Sequence, residues 1–226
     1  MTTLLKTDRL LVSRQDPKSR SFVRVGTLEF DGQHYTFTYD DDVRRALPGL
    51  PLGRTHSSDP LFPIFAERVK DPHRPEWTET LKHMGQPAEA GPFEVLAVSG
   101  GRRTGDTYEL TPLPSAGAVD LPFLVHGVRH LTDDDDERRA IDRLKSGERL
   151  SLRCEPENPV NDRALLVTQG GDKLGYVSDP LLDYVHAIIA GDHELLVERV
   201  NPPEAGMHMR LLVRLRGRYH VGDARS

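Results

Sequence analysis

Proline and glycine interrupt this chain too often for it to form long helices. The 226 residues include 17 prolines and 19 glycines. Proline lacks a backbone N–H and breaks a helix interior, so several prolines should delimit short helices in the first half: Pro51, Pro60, Pro72, Pro75 and Pro87. The hydrophobic content of 37% is still enough to build cores. We therefore predict an α+β chain that folds into two small domains.

The overall charge and the cysteine count exclude several classes of protein. A formal net charge of -5 gives no global attraction to nucleic acid or to an anionic membrane, so any such binding must be local. Cys154 is the only cysteine, which excludes an intramolecular disulfide and predicts a small core residue in a reducing compartment. Since no apolar run approaches about 20 residues, we expect a cytoplasmic protein.

The first half has the pattern of a β-sheet followed by short helices. The runs "SFVRVGTLEF" and "HYTFTY" are strand-like, and the "DG" turn between them predicts a hairpin. Apolar residues then recur at helical spacing in "LFPIFAERV" and "EWTETLKHM", a further helix should begin at Pro92, and "DTYELTP" should be a strand. We assign this domain to residues 1–113 and a linker to residues 114–122.

The second half, residues 123–226, is predicted to be β-rich with two helices. The acidic run at 133–136 follows Thr132, a suitable N-cap, and acidic residues in a first turn are favoured by the helix dipole. Cation binding is the alternative, but contiguous helical aspartates do not converge on one ion. Gly170 and Gly171 should form the turn of a hairpin, and a helix is expected between Pro180 and Gly191.

Motifs for catalysis, cofactors or metals do not stand out. The sequence has no P-loop, no G-x-S-x-G elbow and no zinc-binding histidine pair. His186 falls on an apolar helix, where a core or rim histidine is the simpler interpretation. The loop "SGGRRTGDT" leads into a strand, which favours a surface turn over a phosphate-binding loop. We expect a non-enzymatic protein with no cofactor and no metal site.

One segment is basic although the net charge of the chain is negative. Arg214, Arg216 and Arg218 alternate with apolar residues, so on a strand all three would lie on one face. Such a ridge could follow a phosphate backbone. A solvated outer face of a half-buried strand is the alternative interpretation.

Over roughly residues 121–200 the chain resembles the HIRAN domain. The matching runs are "FLVHGVRH", "LKSGERLSLRCEPENPVNDRALLV" and "DKLGYVSDPLLDYVHAII", in the order and spacing of that family. The resemblance implies a small β-barrel that captures single-stranded DNA ends, particularly the 3′ hydroxyl end. Stacking on planar side chains and basic contacts to the backbone are the physics of such binding.

The resemblance also places candidate contacts on this sequence. Arg129 and His130 correspond to the Arg-aromatic pair after the first strand, where they would hold and stack the terminal nucleotide. Val160 replaces an aromatic residue and Asp179 lies near a position that is basic in the end-binding members. The predicted nucleic-acid-binding set is Arg129, His130, Asn161, Arg163, Tyr176, Arg214, Arg216 and Arg218. The alternative for "EPENPVND" is an architectural corner, closed by asparagine side chains and proline.

The first half resembles the N-terminal subdomain of HipA-type proteins over about residues 23–112. The resemblance rests on "VGTLEFDGQHYTFTYDDD", "LPGLPLG" and "DPLFPIFAERVKDPHRPEW". It implies a module that binds and restrains a kinase, whereas the kinase core has no counterpart here. The leading hypothesis is therefore recognition of single-stranded or ended nucleic acid. The alternative is a regulatory protein that binds a HipA-type kinase, a DNA-processing enzyme or another cytosolic partner through its first half.

Overall fold

The computed structural model describes residues 8–71, 73–103, 105, 107–113, 115–128 and 140–220. These residues form an α+β fold with two antiparallel sheets and few helices. The chain divides into two compact units. The first comprises Met1–Leu81 and Gln86–Leu113, and the second comprises Lys82–Gly85 and Pro114–Ser226.

The first unit is built on a five-stranded sheet in the order β4-β3-β2-β1-β5. Its strands are β1 (Arg9–Gln15), β2 (Phe22–Phe30), β3 (Tyr35–Tyr39), β4 (His56–Ser58) and β5 (Tyr108–Pro112). Its helices are α1 (Pro63–Ala66), α2 (Trp77–His83, whose last residues belong to the second unit) and α3 (Pro92–Ser99). The predicted hairpin between β2 and β3 is confirmed, and Asp31 closes its turn by accepting the backbone N–H of Gln33 at 2.8 Å and of His34 at 2.7 Å.

Aromatic side chains fill the core of the first unit. Phe37, Phe65 and Phe93 are each at most 1% exposed, and the rings of Phe37 and Phe65 lie 5.7 Å apart. These three side chains come from a strand and two helices, so their burial holds the helices to the sheet. The short length of α1 and α2 follows from the prolines that bound them.

The second unit is built on a six-stranded sheet in the order β6-β11-β10-β7-β8-β9. Its strands are β6 (Gly117–Leu124), β7 (Arg149–Cys154), β8 (Leu165–Gln169), β9 (Asp172–Tyr176), β10 (Glu194–Val200) and β11 (Leu211–Tyr219). The helix α4 (Leu182–Ile189) follows a 3-10 turn at Asp179–Leu181. The predicted β8–β9 hairpin and the predicted helix between Pro180 and Gly191 are confirmed.

The sheet of the second unit is not the closed barrel that we expected. Among the described residues, its edge strands β6 and β9 do not form a ladder with each other. Instead, the chain just beyond β6 makes one antiparallel bridge to the end of β9: His126 and Tyr176 exchange backbone hydrogen bonds of 2.8 and 2.7 Å. The two edges therefore meet at a single point, next to Tyr176.

Two further expectations differ from the structure. Most of the segment assigned to a linker forms β6, which pairs with β11 from Gly117 through Leu124. Cys154 is exposed at the end of β7, so the prediction of a core cysteine is wrong. The predicted helix that begins near Thr132 lies largely outside the described residues, although residues 140–143 are helical. Across the described residues, no helix is long and apolar enough to cross a membrane.

Candidate nucleic-acid interface

The polar stretch that follows β7 is a corner closed by its own asparagines. The Asn158 side-chain oxygen accepts the backbone N–H of Val160 at 3.0 Å and of Asn161 at 3.3 Å. The Asn161 side-chain oxygen accepts the N–H of Arg163 at 2.9 Å, and the backbone N–H of Glu155 donates to Ala164 O at 3.0 Å. Asparagine forms such turns because its short side chain mimics a backbone carbonyl. The corner therefore has one defined shape, and it presents Val160 with 68% of its surface exposed.

Glu155 is the polar centre beneath this corner. Its carboxylate accepts Tyr176 Oη at 2.8 Å, Arg153 Nη2 at 3.0 Å and Asn158 Nδ2 at 3.3 Å. Partial burial raises the pKa of Glu155, but these three donors outweigh that effect and hold the pKa below its usual value. Burial, together with the hydrogen bond to the Glu155 carboxylate, raises the pKa of Tyr176 to about 12. At neutral pH the pair is therefore a phenol donating to a carboxylate.

An open pocket of about 370 Å³ lies over this cluster. We call it the Tyr176 pocket, and it is lined by Arg153, Glu155, Pro156, Glu157, Asn158, Pro159, Lys173 and Tyr176. It combines an aromatic ring, two prolines, two cations and two carboxylates. Arg153 and Tyr176 meet here because both lie in register with Leu166 on the middle strand β8.

Two glycines allow the chain beyond β6 to lie against the Tyr176 strand. A Cβ on Gly175, whose φ is +138°, would lie 2.3 Å from Val125 Cγ1 and 2.5 Å from His126 O. A Cβ on Gly127 would lie 3.2 Å from Tyr176 Cδ2. No side chain fits at Gly175, so the close approach requires glycine there. The segment at Gly127 therefore packs against the Tyr176 ring.

Arg163 ties the corner to the helix α4. Its guanidinium donates to the Asp183 carboxylate, and its carbonyl lies 2.8 Å from His186 Nε2. His186 therefore has a structural partner at the rim of the helix. Arg163 is exposed but already paired, so a bound phosphate would have to compete with Asp183 or share the guanidinium with it.

The three alternating arginines of β11 differ strongly in exposure. Arg214 is 6% exposed, and its guanidinium donates to Asp120 at 2.7 Å and to Glu198 at 2.7 and 3.2 Å. Hydrogen bonds to these two carboxylates outweigh burial and raise the pKa of Arg214. Arg216 is 51% exposed and lies 3.8 Å from the nearest carboxylates, and Arg218 is exposed beside Gly217. Only the last two arginines present an accessible cation.

The structure brings together some of the predicted residues and not others. Tyr176 lies at the end of β9 and lines the pocket, and Asn161 lies in the corner that follows β7. Arg129 and His130 lie outside the described residues. Sequence reasoning missed Arg153, Glu155 and Lys173 as members of one cluster. The sequence signal that these three residues share is their position near the end of a strand, beside a predicted turn. The local sequence does not show which strands pair, so it could not place the three side chains together.

The comparisons with known proteins give structural similarity over about half the chain. The crystal structure of the HIRAN domain of human HLTF is similar over 48% of this chain and 84% of that chain, at 18% identity and a TM-score of 0.33. A protein from Lactobacillus plantarum is similar over 47% of this chain and 100% of that chain, at 23% identity and a TM-score of 0.35. No protein-family model and no curated protein sequence matches the chain.

Proposed function

We propose that this chain is a non-enzymatic recognition protein that binds the end of a single-stranded nucleic acid at the Tyr176 pocket. The observation that carries the proposal is the pocket itself, where an aromatic ring held from one side lies with Arg153 and Lys173 in an open space of about 370 Å³. Single-strand binders use this combination: a ring on which a base stacks and cations that hold the backbone.

The polar groups of the pocket suit a nucleotide better than an apolar ligand. Glu155 and Asn158 offer acceptor and donor atoms for base edges or a sugar hydroxyl, and the Pro156 and Pro159 rings offer flat apolar surface. Tyr176 keeps its proton at neutral pH, because its pKa is raised to about 12, and so it adds no negative charge beside a phosphate. Each of these properties favours a nucleotide whose uncharged base stacks on the Tyr176 ring and whose phosphate lies at the edge of the pocket.

The charges of the pocket predict a weak dependence on salt. Arg153 and Lys173 are balanced by Glu155 and Glu157, so stacking and hydrogen bonds must supply most of the affinity. With at most two phosphates neutralised, the slope of log K against log salt should be about −1.4 for a single strand. Arg214 has no place in this proposal because it is buried between carboxylates. Arg129 and His130 enter it through the family resemblance alone.

The test is fluorescence anisotropy of the full chain with labelled single strands, free or blocked at the 3′ end, in DNA and RNA versions. Tyr176→Ala should weaken binding roughly 5- to 150-fold, the range expected for loss of one stacked base. Tyr176→Phe should leave affinity nearly unchanged, since the ring remains. Lys173→Gln should weaken binding and flatten the salt slope, whereas Lys145→Gln, outside the pocket, should do neither.

Three results would count against the proposal. Absence of binding at micromolar protein would remove its basis, and equal effects of Lys173→Gln and Lys145→Gln would indicate only a general charge effect. Binding that is insensitive to a blocked 3′ end would exclude recognition of that end. Loss of binding in Arg129→Gln and His130→Ala would extend the contact surface to the pair implied by the resemblance.

A further inference from the structure

A second pocket, in the first unit, has the chemistry of an anion site. We call it the Arg14 pocket: it measures about 350 Å³ and is lined by Arg14, Gln15, Asp16, Pro17, Val23, Arg45 and Thr107. It lies at one end of the sheet, where β1 ends, β2 begins and the chain approaches β5. Arg14 pairs in register with Val23 on β2 and with Tyr108 on β5, so it lies on β1 between these two neighbouring strands.

The charges of the Arg14 pocket sum to one positive charge. Arg14 and Arg45 contribute two cations, and Asp16 contributes one carboxylate. Asp16 Oδ1 is already used, because it accepts the backbone N–H groups of Lys18 at 2.8 Å and Ser19 at 2.9 Å. These hydrogen bonds, from Ser19 and then Lys18, hold the pKa of Asp16 below its usual value, so the carboxylate stays ionised and committed to its turn. Arg45 has no hydrogen bond or ion pair to another residue in the described part of the chain.

The turn that lines the pocket is held by two backbone hydrogen bonds and one side-chain hydrogen bond. Gln15 N donates to Thr107 O at 2.8 Å, Asp16 N donates to Ser21 O at 2.8 Å, and Gln15 Nε2 donates to Arg20 O at 3.0 Å. Arg20 adopts a left-handed φ of +64° to close this turn. A fixed turn lowers the ordering cost of binding, since the groups that would meet a ligand are already in place.

We propose that the Arg14 pocket binds a phosphate group carried by a small molecule. Two guanidinium groups and the Thr107 hydroxyl can donate to three phosphate oxygens, and arginine matches phosphate geometry through paired N–H donors. Val23, 51% exposed, and Pro17 form an apolar wall beside the cations. That wall favours a phosphate monoester with an apolar or planar body over the bare ion. The site involves no residue of the Tyr176 pocket.

The test is titration of the full chain with inorganic phosphate and with a nucleoside monophosphate, by calorimetry at constant ionic strength. Sodium chloride and sodium acetate serve as the anion controls. Arg45→Gln should weaken phosphate binding about 10-fold or more, the effect of losing a charge-assisted hydrogen bond. Arg44→Gln is the matched control, because Arg44 donates to Asp41 O and does not line the pocket.

A second variant distinguishes loss of phosphate binding from loss of folding. Val23→Glu places a carboxylate on the pocket wall at a position that is already half exposed, so it should abolish phosphate binding while the circular dichroism spectrum stays unchanged. The proposal is overturned if phosphate binds no better than chloride, if Arg44→Gln weakens binding as much as Arg45→Gln, or if Val23→Glu binds normally. Binding of oligonucleotides but not of either small phosphate would also overturn it, since the polymer backbone would then be the ligand.

Discussion

Removing the Tyr176 hydroxyl isolates the contribution of its hydrogen bond to the Glu155 carboxylate. Tyr176→Phe keeps the ring and deletes the 2.8 Å hydrogen bond to Glu155 Oε2. Hydrogen bonds to charged groups contribute roughly 1.5–3 kcal/mol. The lower end applies here because Glu155 keeps Arg153 and Asn158 as donors and its side chain is 20% exposed. We expect the free energy of unfolding of the second unit to fall by about 1.5 kcal/mol at pH 7.

The size of this loss should depend on pH in a definite direction. Glu155 has a folded pKa below its ordinary 4.5, so its stabilising contribution is complete above that value and is lost as pH falls through the folded pKa. Tyr176 has a folded pKa of about 12 against an ordinary 10.0, so its contribution is complete below pH 10 and is lost as pH rises towards 12. The difference between wild type and Tyr176→Phe should therefore be largest between these limits.

The assay is urea unfolding with one probe in each unit. Trp77, the single tryptophan, reports on the first unit, and a fluorophore on the exposed Cys154 reports on the second. A double-mutant cycle with Glu155→Gln measures the coupling of the pair directly. Additive effects of the two substitutions, or a stability difference that does not change between pH 7 and pH 3, would refute the reasoning. A shift in the Trp77 transition alone would place the effect in the wrong unit.

Three further substitutions test other features of the second unit. Gly175→Ala should cost more than about 3 kcal/mol, because the added Cβ meets backbone and side chain within 2.5 Å at a positive φ. Arg214→Gln should cost about 2–3 kcal/mol in urea unfolding, since it removes the buried cation that pairs with Glu198 and Asp120. Asp183→Asn should free Arg163 for phosphate, raising single-strand affinity about threefold and steepening the salt slope by about 0.7 in anisotropy titrations.

Each of these substitutions has a matched control in the same unit. Gly171→Ala shares the positive φ but has no atom within 4 Å of the added Cβ, so only backbone strain of about 1 kcal/mol applies. Arg216→Gln should stay within about 0.5 kcal/mol, as an exposed charge 3.8 Å from its partners. Asp192→Asn makes the same charge change as Asp183→Asn without touching Arg163. If any control matches its test variant, the structural explanation is contradicted.

The turns and the short elements of the fold are predictable from the sequence because their signals are local. The "DG" turn at Asp31 and the Gly170–Gly171 pair each give a hairpin, and Pro180 and Gly191 bracket α4. Most of β6 lies in the segment predicted as a linker, because the composition of that segment is that of a linker. It becomes a strand through its ladder with β11, a long-range pairing that no local pattern encodes.

The candidate site is predictable only in part, for the same reason. Asparagine and proline show that a corner follows β7, and the asparagine hydrogen bonds match that expectation. Arg214 pairs with Asp120 and Glu198, both distant in sequence, so alternation with apolar residues could not distinguish a buried ion pair from an exposed ridge. Strand register likewise decides that Arg153 meets Tyr176, and register depends on the assembled sheet.

The path of the chain between the two units limits how the protein can be divided. Residues Lys82–Gly85 belong to the second unit although the residues on both sides of them belong to the first. Within that unit, Asn201 Nδ2 donates to His83 O at 2.7 Å, and a Cβ on Gly85 would lie 2.9 Å from Leu212 Cδ2. A fragment that starts at residue 114 therefore loses a piece of its own interior. Truncation at a single point therefore cannot yield two intact units, because any cut that separates residue 113 from residue 114 leaves Lys82–Gly85 with the first unit.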